Sequence, residues 1–139
     1  MNISSQRPYR HVIDRLRASG LRPTRQRLAL ARLLFGDRDR HVTAETLHSE
    51  AVAAEVQVSL ATVYNTLHQF TDAGMLREVV VDSARSYFDT NTADHHHFLH
   101  EKSGLLIDIP GSNVAISGLP PAPGGMKIRR VDVVVHIDD

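Results

Sequence analysis

The sequence predicts an α+β fold: a winged helix-turn-helix followed by a small α/β dimerisation domain. Three observations lead there. Helical apolar spacing recurs four times in the first half, with hydroxyl residues or glycines at the segment ends. A short β-branched hairpin comes next. The last third reads as strands broken by proline and glycine.

Val12, Ile13 and Leu16 recur at helical spacing between Tyr9 and Ser19, and Gly20 suits a C-terminal cap. Thr24 can cap a second helix reaching Phe35, with Leu28, Ala31 and Leu34 on one face and Gly36 at its end. Thr43 can cap a third, from Ala44 to Ala54, with Leu47, Ala51 and Ala54 inward. Ser59 can cap a fourth, from Leu60 to Ala73, where Leu60, Val63, Leu67 and Phe70 follow the spacing of one buried face. Gly74 ends it.

The period then changes from helical to alternating. Leu76 to Val81 reads as a strand, Asp82-Ser83-Ala84-Arg85 as a turn, and Ser86 to Asp89 as the returning strand. Helices followed by such a hairpin make the winged pattern, so residues 1–89 are expected to form one domain and 90–139 a second. In the second, His95 to Glu101, Leu105 to Ile109 and a long run from Lys127 to Ile137 are expected strands. Pro120-Pro121-Ala122-Pro123-Gly124-Gly125 is a stiff loop that suits neither helix nor central strand. Three strands with little helix bury too little apolar surface alone. Val131, Val133 and Val135 would form an apolar strand face, which a second copy of the chain is expected to cover in a homodimer.

With 42% hydrophobic residues the chain can build a core. No run approaches the roughly 18 uninterrupted apolar residues of a membrane helix, and Met1 to Arg10 lacks an apolar secretory core, so a cytoplasmic protein with no membrane partner is expected. There are no cysteines, which excludes disulfides, thiolate metal sites and cysteine nucleophiles. The zero net charge hides an asymmetry. Residues 1–40 hold ten arginines against three acids, +7, and the rest of the chain carries −7. The basic front suits a polyanion and the acidic rear a cation.

The fourth helix leaves Ser59, Ala61, Thr62, Asn65 and Gln69 outward, small or polar and uncharged. Such a face fits the major groove of double-stranded DNA, where small residues permit close approach and amides read base edges. Tyr64 at its boundary could bond a phosphate through its hydroxyl. Arg22, Arg25 and Arg27 around the start of the second helix could hold the backbone. The candidate DNA-contacting set is therefore Arg22, Arg25, Arg27, Ser59, Thr62, Tyr64 and Asn65.

Four of the nine histidines fall within His95–His100. Side chains alternate along a strand, so His95 and His97 share one face while His96 and His100 share the other. A His-x-His pair with carboxylates from elsewhere makes a nitrogen and oxygen shell suited to Fe(II), Mn(II) or Zn(II).

In order and spacing, Gly20-Leu21-Arg22-Pro23-Thr24-Arg25-Gln26-Arg27, His41-Val42-Thr43-Ala44-Glu45, Ala61-Thr62-Val63-Tyr64-Asn65-Thr66-Leu67, Asp94-His95-His96-His97 and Ser103-Gly104-Leu105-Leu106-Ile107-Asp108 resemble the ferric uptake regulator superfamily. The resemblance covers residues 9–137. His95-His96-His97, the proline-rich loop and Arg130-Val131-Asp132-Val133-Val134-Val135 look most like its iron response regulator (Irr) branch. It implies a repressor that binds promoter DNA according to iron or haem status, and not an enzyme. It implies one divalent metal site, for Fe, Mn or Zn, built from His41, Asp89, His95, His97 and Asp108. It also implies haem ligation at His95, His96 and His97. The family's structural four-cysteine zinc is expected to be absent, since His100 and Ser103 stand where its first Cys-x-x-Cys pair would be. A peroxide sensor, or another metal sensor of the same superfamily, is the alternative, because such sites use two aspartates like Asp89 and Asp108. A metal-dependent hydrolase is disfavoured: no general base or phosphate loop accompanies the histidines. A plain metal-buffering protein would show no sequence-specific DNA binding at physiological salt.

Overall fold

The computed structural model describes residues 3–139, with side chains from Arg10 onward. The side chain of Arg7, one of the ten basic residues of the front, lies outside that set. The chain divides into two compact units, the first ending at Thr92 and the second running from Ala93 to Asp139.

The first unit opens with four helices: α1 (Ile3–Ala18), α2 (Arg25–Leu34), α3 (Ala44–Ala53) and α4 (Leu60–Asp72). Three begin at a hydroxyl cap. Thr24, Thr43 and Ser59 accept backbone N–H groups from Arg27, Thr46 and Thr62, at 3.2, 3.1 and 3.1 Å. Each such cap satisfies a donor that the first helical turn leaves orphaned. Gly20 and Gly74, at φ +80° and +81°, turn the chain out of α1 and α4 through the left-handed region.

One core joins the helices. It runs through Val12 and Leu16 of α1, Leu30, Ala31 and Leu34 of α2, Leu47 and Ala51 of α3, and Val63, Leu67 and Phe70 of α4. The expected inward faces differ at three places. Leu30 is buried while Leu28 packs at the margin; Ala44, not Ala54, lies inside; and Thr66 is buried while Leu60 is 37% exposed at the helix start. The rest of each expected face, Ala31 and Leu34, Leu47 and Ala51, and Val63, Leu67 and Phe70, is buried.

A three-stranded antiparallel sheet closes this unit in the order β1 (His41–Val42), β3 (Arg85–Asp89), β2 (Arg77–Asp82). β2 and β3 are the expected hairpin. β1 is a two-residue strand that pairs His41 with Asp89 and Val42 with Phe88. At the hairpin tip, Asp82 accepts from the Ala84 N–H and the Arg85 guanidinium, at 2.8 and 2.9 Å. Those donors hold the exposed Asp82 carboxyl below its usual pKa.

The second unit is a three-stranded sheet in the order β5 (Leu106–Pro110), β4 (His95–His100), β6 (Val134–Ile137). β4 and β5 are antiparallel, and β4 and β6 are parallel. β6 is far shorter than the run expected from Lys127. Its paired register with β4 starts at His97↔Val134, and the ladder breaks off at Val133, whose carbonyl accepts the His97 N–H at 3.1 Å. Val133 instead donates its N–H to His96 Nδ1, at 3.1 Å. A parallel connection usually carries a helix; here the crossover is irregular, with two short 3-10 turns at Gly111–Asn113 and Pro123–Gly125. Leu105, Ile107, Ile116, Leu119, Met126 and Ile128 stay exposed.

Gly111 shows how closely this sheet is built. A Cβ there would lie 2.8 Å from the Asp94 carbonyl oxygen, a backbone atom with little room to yield. Gly111→Ala is expected to destabilise the fold by about 1–3 kcal/mol, as overpacking does. A melting temperature equal to that of the native chain would contradict it.

Candidate nucleic-acid interface and metal-ligand sets

The outward face of α4 carries Ala61, Tyr64, Asn65 and Gln69, all exposed. Ser59 and Thr62 are tied to one another. The Ser59 hydroxyl donates to Thr62 Oγ1 at 2.9 Å while accepting the Thr62 N–H, so the pair fixes the helix start as well as facing solvent. Arg22 and Arg25 are exposed beside the first turn of α2. Arg27 is placed differently. Its Nε and one terminal nitrogen both donate to Gln69 Oε1, at 3.2 and 3.1 Å, and its other terminal nitrogen donates to the Arg22 carbonyl at 3.0 Å. The guanidinium thus braces the start of α2 against the end of α4. Tyr64 donates its hydroxyl to Glu45 Oε1 at 2.8 Å, and that bond raises the phenol pKa above its usual value.

The predicted metal ligands fall into two sets, one in each unit. In the first unit, sheet register places His41 opposite Asp89, with Nε2 and Oδ2 3.9 Å apart. Asp89 is fully buried, and its Oδ1 accepts the Asn91 N–H at 2.9 Å. In the second unit, β4 alternates as its sequence implies: His95, His97 and Leu99 are buried, while His96, Phe98 and His100 are half-buried. Register sets His97 opposite Asp108. Nε2 of His97 and Nε2 of His95 stand 3.3 and 3.5 Å from Asp108 Oδ1, and the two rings are 4.5 Å apart.

The His95 tautomer follows from its other nitrogen. Nδ1 lies 2.6 Å from the Ala93 carbonyl oxygen, which can only accept, so Nδ1 carries the proton. The electron pair of neutral His95 is then on Nε2, facing a carboxylate. Two imidazole nitrogens around one carboxylate oxygen make a donor set that takes a cation, and an N–H to a backbone carbonyl is the usual outer support of a metal-binding histidine.

His96 points away from that set. Its Nδ1 accepts the Val133 N–H, which puts the proton of the neutral ring on Nε2. His95, His96 and His97 are therefore not brought to one face, and only the outer two converge. His100 and Ser103 are joined by hydrogen bonds: Nδ1 is 2.7 Å from Ser103 Oγ and accepts the Ser103 N–H at 3.2 Å, while Nε2 donates to Asp139 at 2.8 Å.

The model of the ferric uptake regulator family matches residues 18–120, three quarters of the chain. The chain belongs to this family. Its members are DNA-binding transcription regulators and not enzymes. Among curated relatives, the peroxide-responsive repressor PerR of Staphylococcus epidermidis is 36% identical over 96 residues, which are 69% of this chain and 63% of that protein. Its counterpart in Staphylococcus aureus Mu50 is 35% identical over 96 residues, 69% of this chain and 64% of that protein. The chain thus spans just under two thirds of the length of the relatives it matches. Among solved structures, the Vibrio cholerae ferric uptake regulator superposes with a TM-score of 0.72 at 23% identity, covering 91% of this chain and 98% of that one. The Pseudomonas aeruginosa regulator solved with manganese gives 0.69 at 23% identity, covering 92% and 97%. These likenesses fix the α+β architecture. Among the described residues no helix is long and apolar enough to cross a membrane.

Proposed function

We propose that this chain is a metal-responsive transcriptional regulator that binds promoter DNA as a homodimer in the cytoplasm. The observation that carries the reading is the His95–His97–Asp108 set, with the His95 tautomer fixed by the Ala93 carbonyl. In this reading residues 1–89 are the winged-helix DNA-binding domain and 90–139 the dimerisation and sensing domain. His41 and Asp89 complete one nitrogen and oxygen site with His95, His97 and Asp108. Ligands drawn from both domains give a bound cation leverage over DNA affinity, since it favours whichever domain arrangement completes its shell. The exposed apolar side chains of the second unit offer the surface for a second copy. Ser59, Thr62, Tyr64 and Asn65 face the groove while Arg22 and Arg25 hold phosphates; Arg27, counted with them from the sequence, acts as the brace of α2 on α4.

The finer reading is that the signal is iron or haem status, as the likeness to the Irr branch implies. His95 and His97 share one face of β4 but are buried against Asp108, so axial ligation would require that pair to open and His96 to release Val133. The deciding measurement is a mobility shift on an iron-gene promoter with apo, Mn(II)-loaded and haem-loaded protein. The reading expects at least one ligand to change affinity tenfold or more; identical isotherms in all three states reject it.

The curated relatives named for peroxide favour a second reading, a peroxide sensor with iron at the same residues. After peroxide treatment of the iron-loaded protein, mass spectrometry would find one added oxygen at His41 or His95. Unmodified histidines would rule this out.

A further inference from the structure

Glu45 lies in the first turn of α3, where the positive end of the helix dipole favours a carboxylate. From there it accepts the hydroxyl proton of Tyr64, in the middle of the outward face of α4. Both side chains are exposed, Tyr64 at 37%. An exposed tyrosine on a helix ordinarily exchanges rotamers, and a hydrogen bond to an ionised acceptor selects one of them. The same carboxylate occupies the acceptor position that a phosphate oxygen would need. It also places a negative charge within a hydrogen bond of a hydroxyl on this face that a duplex backbone would otherwise recruit.

We propose that Glu45 is a specificity-determining positioning residue of the DNA interface. It holds the Tyr64 ring ready for the groove and keeps phosphates away from the Tyr64 hydroxyl. The proposal rests on the DNA-binding reading above. It reverses the sequence expectation for Tyr64: the ring, not a hydroxyl-to-phosphate bond, meets the duplex. Glu45 acts in two separable ways, by its hydrogen bond and by its charge. The bond favours the correct site. The charge penalises contacts that any sequence can make, which arise mainly from phosphates.

The test uses the full chain, loaded with whichever metal supports binding. One duplex is selected by the native protein from a random pool, and the other is a scrambled control. Glu45→Gln keeps an acceptor and removes the charge. Binding to the scrambled duplex should tighten about 3–10-fold, lowering the specificity ratio by a similar factor, with a salt slope steeper by up to about one counterion. Tyr64→Phe breaks the bond and keeps the charge, and should weaken binding to the selected duplex about 3–10-fold; Glu45→Ala breaks the bond and also removes the charge, so its loss there should be smaller. The double variant should be no weaker than the worse single one, because both changes remove the same interaction. Thermal melts of all four proteins separate a folding defect from an interface effect. Additive losses in the double variant, or an unchanged specificity ratio in Glu45→Gln, overturn the proposal while leaving DNA recognition standing. A native protein that selects no sequence overturns both.

Discussion

Asp108→Asn is expected to lower Mn(II) affinity by about 100-fold or more and to uncouple DNA binding from metal. Losing outer partners of a metal site already costs about 10–100-fold, and Asp108 is proposed as a direct ligand. It is the carboxylate that both Nε2 atoms of the His95–His97 pair face. The asparagine amide keeps the volume and one oxygen but removes the charge that offsets the cation. The Asp108 side chain is 43% exposed, so the change should leave the sheet intact. His97→Ala should lose the metal as completely but is the less clean variant. His97 is 1% exposed, and its removal opens a cavity in a unit whose other buried apolar side chains are Leu99, Leu106 and Ile109. Calorimetric titration of both variants beside the native chain checks the assignment. A native-like isotherm for Asp108→Asn would remove Asp108 from the site.

The legible part of this site was the part set by local geometry. Alternation along one strand separates His95 and His97 from His96 without knowledge of the fold, and β4 follows that alternation. Caps were legible for the same reason: Thr24, Thr43 and Ser59 each bond three residues ahead. What the sequence hid depends on partners distant along the chain. Arg27 reads as a phosphate contact until Gln69, 42 residues later, takes its guanidinium. Tyr64 reads likewise until Glu45, 19 residues earlier, takes its hydroxyl. The valines from 131 to 135 have strand propensity throughout, yet the paired strand begins only at Val134, because Val133 gives its N–H to the His96 ring. β1 failed to register as a strand because two residues have no period; pairing with β3 alone defines it.

Phe70→Ala is expected to be the most damaging single change to the fold, at about 3–5 kcal/mol. Phe70 is fully buried, and its ring lies 6.2 Å from that of Phe35, which in turn carries the Arg15 guanidinium 4.2 Å above its face. It therefore ties the last turns of α4 to the end of α2 and, through Phe35, to α1. The loss would be large against a typical domain stability of about 5–15 kcal/mol. The consequence for function follows from position. The same helix that buries Val63, Leu67 and Phe70 presents Tyr64, Asn65 and Gln69 outward, so loosening one face tilts the other. Phe70→Leu keeps most of the apolar volume and should lose roughly half as much or less. Chemical denaturation of both variants measures the difference. If Phe70→Ala unfolds within about 1 kcal/mol of the native chain, α4 is not held through this residue, and the rigidity assigned to the reading face must come from its caps and from the Arg27–Gln69 brace instead.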